Sequence, residues 1–170
     1  PRDRRRKPQH SLGLRGTARY LADPAVFQAE LEAVKEVRAH RGFGNVQLLL
    51  PFVRTVEELH RAKEYVAAAG LTAERTFKLR MMVEVPSTVF QIEQFLDEGV
   101  DGVSIGSNDL TQLILGVDRD AGQLGSTFNE LDPAVTAAIA IVIRACRARH
   151  IPVSVCGQAA SDRPEFTDFL

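Results

Sequence analysis

The chain reads as an α/β protein built on parallel strands, and three observations lead there. Four short, near-continuous apolar runs suit strands covered on both faces. Helical patterns with recognisable start signals lie between these runs. Strand and helix alternate throughout, with no internal repeat or low-complexity linker.

Taken in order, Asp23-Pro24 opens a helix predicted to run to about His40, with proline at the first helical position. The first strand is expected in "NVQLLLPF", Asn45 to Phe52. Thr55-Val-Glu-Glu58 is a capping box ahead of a helix ending near Gly70. "KLRMMVEVP", Lys78 to Pro86, gives the second strand, and Ser87 is expected to cap a helix that ends near Gly99. "DGVSIGS", Asp101 to Ser107, is the third strand. Asp132-Pro133 opens a helix to about Arg149, "IPVSVCG" (Ile151–Gly157) is the fourth strand, and a last short helix begins near Pro164. A closed parallel barrel needs eight strands and about 250 residues. The alternatives are therefore an open sheet or part of a barrel.

Composition narrows the class. The chain has 170 residues, 45% hydrophobic and 25% charged, which suits a globular domain with a real core. A net charge of -1 gives no case for nucleic acid or an anionic membrane as partner. Residues 1–11 are the local exception, with Arg2, Arg4, Arg5, Arg6 and Lys7 predicting a solvated, disordered basic segment ahead of a domain over 12–170. No apolar run approaches the roughly 18 residues of a membrane span. Cys146 and Cys156 make neither a disulfide framework nor a C-x-x-C metal pair, so a cytoplasmic location with reduced thiols is expected.

Parallel sheets hold ligands at the C-terminal ends of their strands. The second strand delivers Glu84 there, the third Ser107, Asn108 and Asp109, and the fourth Cys156. Each has a plainer reading. Glu84 fits a satisfied polar residue at a strand exit, but a carboxylate in so apolar a run is costly to bury without a partner such as a metal ion. Asn108 and Asp109 fit caps of the following helix. Cys156 fits an inert thiol, as Cys146 does more strongly from mid-helix. Two carboxylates and an amide are hard oxygen ligands that favour Mg²⁺ or Mn²⁺. Arg15, between Gly13 and Gly16, suits bidentate contact with phosphate or carboxylate, or else a surface ion pair. Together these groups suggest a small anionic, oxygen-rich substrate on a divalent metal.

The stretch from Asp101 to Arg119 resembles the signature of the phosphoenolpyruvate-utilising enzymes through Ser104, Gly106, Ser107, Asn108, Asp109, Gln112 and Arg119. The likeness runs from about Leu12 to Leu170 and includes "LPFVRTVEEL", "VEVPS" and "GVDRDAG". The ending "VCGQAASDRPEF" is similar to the branch that makes phosphoenolpyruvate from pyruvate and water-consuming ATP chemistry, the pyruvate, water dikinase type. The related pyruvate, phosphate dikinases and the sugar-transport phosphotransferase enzyme continue differently after the cysteine. The resemblance implies a partial (β/α)8 TIM barrel of the PEP/pyruvate-binding type, with several strands missing. It implies Mg²⁺ (or Mn²⁺) on Glu84 and Asp109, substrate phosphate on Arg15, and substrate contact by Asn108 beside Ser107. Cys156 would be the acid/base at the substrate methyl carbon. Phosphohistidine and ATP-binding domains of a longer enzyme are the implied partners, since His10, His40, His60 and His150 lack the phosphohistidine context. A non-catalytic remnant that keeps the motif is the alternative. Unpaired sheet edges predict a homodimer or other self-association.

Overall fold

In a computed structural model, residues 12–118 and 127–170 are described, and four parallel strands follow one another in sequence order. They are β1 (Leu48–Leu50), β2 (Leu79–Val83), β3 (Gly102–Gly106) and β4 (Val153–Cys156). β2 pairs with β1 and β3, and β3 with β4, with no strand inserted out of order. A doubly wound sheet reverses its order at a switch point, whereas a barrel wall proceeds sequentially. The sheet is consistent with an arc of a barrel, and the described residues do not close one.

The helices are α1 (Thr17–Ala22), α2 (Pro24–His40), α3 (Val56–Ala68), α4 (Pro86–Phe90), α5 (Ile92–Asp97), α6 (Ser107–Leu115), α7 (Pro133–Ala148), α8 (Ala159–Asp162) and α9 (Pro164–Phe169). Several follow the predicted signals. Pro24 and Pro133 stand at helix starts, and Asp132 accepts a hydrogen bond from the Ala134 N–H at 2.8 Å. Thr55 caps α3 by accepting from the Glu58 N–H at 3.1 Å. The box is not reciprocal as expected, because Glu58 accepts from the Arg54 N–H at 2.8 Å.

Other expectations need correction. The helix expected from Ser87 to Gly99 is two helices, broken at Gln91 (φ -113°, ψ 24°). Ser87 does not cap it, since its hydroxyl donates to the Arg54 carbonyl at 2.7 Å. β1 stops at Leu50 rather than Phe52, because Phe52 takes a left-handed φ of 49°. The basic segment 1–11 and Arg119 lie outside the described residues.

The expectation that both sheet faces are covered holds throughout for one face, and on the other for β3, whose five residues are all buried. Leu50, Leu79, Met81, Val83, Val103 and Ile105 are buried in a core with Phe27, Leu59, Phe95, Ile139 and Val142. Burying each such side chain contributes about 1.5–3 kcal/mol. On the opposite face, β4 exposes Ser154 and Cys156, β1 exposes Leu49, and β2 leaves Arg80 and Met82 half-buried. Inward-pointing barrel residues would occupy that second face. The N-terminal end of the sheet is pinned by polar contacts. Arg38 is buried and bonds Glu74, Thr76 and the Gly44 and Val46 carbonyls, while Asp101 accepts from Lys78 Nζ and the Leu79 N–H at 2.9 Å each.

Candidate functional site

Side chains alternate across a strand, so the register decides which groups meet. Met82 pairs with Ser104 and Ser104 with Ser154, while Gly106 pairs with Cys156. One step beyond β2, Glu84 therefore comes level with Gly106. Glu84, Gly106 and Cys156 form a row on the half-open face at the C-terminal ends of three strands. A Cβ on Gly106 would lie 2.6 Å from Glu84 Oε2 and 2.7 Å from Glu84 Cβ. The missing side chain is what admits the carboxylate.

Glu84 is only 4% exposed, and its Oε1 accepts from the Phe52 N–H at 2.6 Å. Burial pushes its pKa up to about 7, against the pull of that N–H; the neighbouring Asp109 raises it further, by charge and by a side-chain hydrogen bond, while Arg15 lowers it. Asp109 is in the first turn of α6. It is not a side-chain cap, since its carboxylate receives both terminal nitrogens of Arg15, at 3.0 and 3.3 Å. This fork-on-carboxylate geometry is a strong, directional form of ion pair. Arg15 and Asp109 are only partly exposed.

Ser107 is buried where β3 passes into α6, and its hydroxyl donates to the Cys156 carbonyl at 3.4 Å. Asn108 lies against Gly157, where a Cβ would stand 3.3 Å from its Oδ1. Cys156 is exposed rather than an inert core thiol; its Sγ meets Ser104 Oγ at 3.4 Å and the Ile105 carbonyl at 3.5 Å. Cys146 is the buried thiol expected, and burial raises its pKa to about 11. The structure thus brings Glu84, Asp109 and Arg15 into one contact chain. Cys156 shares their face, and its thiol meets Ser104 and Ile105 of β3.

Two features of the site went unread in the sequence. Phe52 supplies the N–H to Glu84, and the Arg15 guanidinium carbon lies over its ring at 4.3 Å. Arg54 also lies over that ring, at 4.6 Å. The unusual local signal was an aromatic directly after a proline at a strand exit; the contacts themselves are too distant along the chain to read.

The donor set fits a hard divalent cation. Two carboxylates in contact, one of them buried and hard to ionise, are a pair that a cation would relieve. Among the described residues no group of three His, Cys, Asp or Glu could hold a metal. Two protein carboxylates with the remaining positions left to water or substrate oxygens is the Mg²⁺ pattern rather than the zinc one.

A family model for the PEP-binding domain of PEP-utilising enzymes matches residues 6–170. The chain is 49% identical over 164 residues to a phosphoenolpyruvate synthase of Aeropyrum pernix, covering 94% of this chain and 20% of that protein. It is 48% identical to the phosphoenolpyruvate synthase of Deinococcus radiodurans, over 94% of this chain and 21% of the relative. Against that of Escherichia coli K12 the identity is 45%, over 94% and 20%. The chain spans about one fifth of the length of these relatives. Both the family match and the long, well-covered identities lead to one conclusion: the chain belongs to the PEP-utilising enzyme family, as its PEP-binding domain.

Proposed function

We propose that this chain supplies the pyruvate/phosphoenolpyruvate site of a cytoplasmic phosphotransferase that makes phosphoenolpyruvate from pyruvate and a phosphohistidine charged by ATP. The observation that carries this reading is the convergence of Glu84, Asp109 and Cys156 at adjacent strand ends around the space left by Gly106, with Arg15 reaching Asp109 from its loop. The names of the full-length relatives support the substrate class.

In this reading Glu84 and Asp109 hold Mg²⁺ or Mn²⁺, and the bound cation supplies positive charge to the substrate oxygen that becomes anionic. Arg15 leaves Asp109 and neutralises the transferring phosphoryl group, and Asn108, beside Ser107, orients the substrate. The Cys156 thiolate takes a proton from the methyl carbon of pyruvate and leaves an enolate. The enolate oxygen then attacks phosphorus as the P–N bond to histidine breaks, its electron pair staying on the histidine nitrogen. In reverse, the Cys156 thiol returns the proton to carbon.

The test uses an intact enzyme carrying this chain. Cys156→Ala is expected to abolish exchange of pyruvate methyl protons with solvent, followed by NMR in D₂O. Phosphorylation of the enzyme by ATP should survive. Exchange at the wild-type rate would remove Cys156 from the chemistry and sink the proposed acid/base step.

A further inference from the structure

The loop that carries Arg15 has almost nothing of its own to hold it. Leu12 and Leu14 are exposed, and Gly13 and Gly16 take left-handed φ values of 112° and 59°. A guanidinium in such a loop would sample many positions, and ordering it on substrate binding costs free energy. The loop is nevertheless tied down, and the ties come from the segment just after β1. Thr17 bonds the Pro51 carbonyl through its N–H at 2.9 Å and its hydroxyl at 2.8 Å. Gly16 packs so closely there that a Cβ would sit 2.5 Å from Phe52 Cβ.

Arg54 provides further ties, beside the Arg15 side chain's own pair with Asp109. Its Nη2 donates to the Gly13 carbonyl at 2.7 Å, and its Nη1 to the Arg15 and Phe52 carbonyls at 3.2 and 3.3 Å. Arg54 is itself fixed at both backbone ends, its N–H on Glu58 and its carbonyl on Ser87. Its nearest carboxylate, on Glu58, is 3.9 Å away, which is long for an ion pair that would define its role. The guanidinium is thus spent mainly on three carbonyls, two of them in the Gly13–Arg15 loop. A planar fork can reach all three, which the point charge of lysine cannot reproduce.

We infer that Arg54 is a positioning residue: it holds the Gly13–Arg15 loop so that the Arg15 guanidinium is ready for the substrate's phosphate, without touching substrate or metal itself. This rests on the proposed function, which assigns Arg15 to phosphate. Glu84 follows β2 and Asp109 stands on α6, and Arg54 reaches them only through Arg15 and Phe52, so its loss removes no metal-binding carboxylate.

The experiment compares the full chain with Arg54→Met, Arg54→Lys, Arg15→Met and the double Arg54→Met/Arg15→Met variant. Mn²⁺ affinity is read from water-proton relaxation, and phosphoenolpyruvate affinity is read at saturating Mn²⁺. Arg54→Met is expected to weaken phosphoenolpyruvate binding about tenfold while Mn²⁺ affinity does not fall, and rises at most as far as it does in Arg15→Met, where Asp109 is freed. Arg54→Lys should recover little of the loss. The double variant should lose scarcely more than Arg15→Met alone, because Arg54 acts through Arg15. Losses that simply add, or an equal fall in Mn²⁺ affinity, would overturn the positioning role while leaving the site reading intact. Should the wild-type chain bind Mn²⁺ but show no Mn²⁺-dependent phosphoenolpyruvate binding, the proposed function falls and the role of Arg54 falls with it.

Discussion

Glu84→Gln should stabilise the metal-free chain at pH 8 while abolishing Mn²⁺ binding. Glu84 is 4% exposed and burial raises its pKa from the ordinary 4.5 to about 7. At about 1.36 kcal/mol for each pH unit, holding it ionised in the folded chain costs about 3 kcal/mol. The sign follows from proton binding. The folded state holds this proton more tightly than the unfolded chain, so the group favours folding most below its unfolded pKa. That contribution is lost as pH rises through about 7. Glutamine has the same shape, keeps an oxygen for the Phe52 N–H, and offers Asp109 an N–H in place of the proton. The variant should gain about 2–3 kcal/mol over wild type at pH 8, and much less at pH 5, where the wild-type carboxyl is protonated when folded.

Urea unfolding of both proteins at the two pH values measures this directly. Adding Mn²⁺ should reverse the order, since a ligand of the folded state stabilises only the protein that binds it. A variant no more stable than wild type at pH 8, or an advantage independent of pH, would refute the account of Glu84 as a destabilised metal carboxylate.

Arg15→Gln should tighten Mn²⁺ binding by the ligand-free chain about three- to tenfold, because Asp109 is then no longer paired with a half-exposed guanidinium. The same variant should weaken phosphoenolpyruvate binding; unchanged Mn²⁺ affinity in a titration would mean the Arg15–Asp109 pair does not persist in solution. The chain on its own should self-associate in light scattering, since β1 and β4 are the edge strands among the described residues and one face leaves Leu49, Met82 and Cys156 incompletely covered. A compact monomer that unfolds cooperatively would show that this face tolerates water.

The sequence carried the strands well because buried parallel strands leave long apolar runs, but it overstated their lengths. β1 was expected to reach Phe52 and ends at Leu50, where Pro51 lacks an N–H and Phe52 turns left-handed. The split at Gln91 was invisible because both halves keep apolar spacing. α1 and α8, of six and four residues, are too short for a periodic signal. Within the site, Glu84, Asp109 and Arg15 were legible as charged groups at expected strand ends and in a Gly-flanked loop. Arg54 was not, because its partners are backbone carbonyls 39 and 41 residues away, and backbone acceptors leave no mark in a sequence. Only tertiary structure separates it from a surface arginine beside Glu58.

Gly106 ties these strands of argument together. A glycine inside a strand ordinarily weakens it, contributing no packing and losing more entropy than other residues on folding. Here it lies mid-sheet between the strand ends that carry Glu84 and Cys156, in the register that puts both on its own face. Any side chain would meet Glu84 at under 3 Å, against a Cβ anchored to the backbone and unable to swing away. The strand therefore gives up packing at one position so that a buried carboxylate and an exposed thiol can flank a gap. Ser104, one layer deeper on the same face, fills that layer and meets the thiol sulfur. A fold optimised only for stability would place an alanine or valine at 106 and keep glutamate out of the core. The cost is taken at the strand ends, where a parallel sheet gathers its chemistry, while Arg38 and Asp101 secure the opposite end.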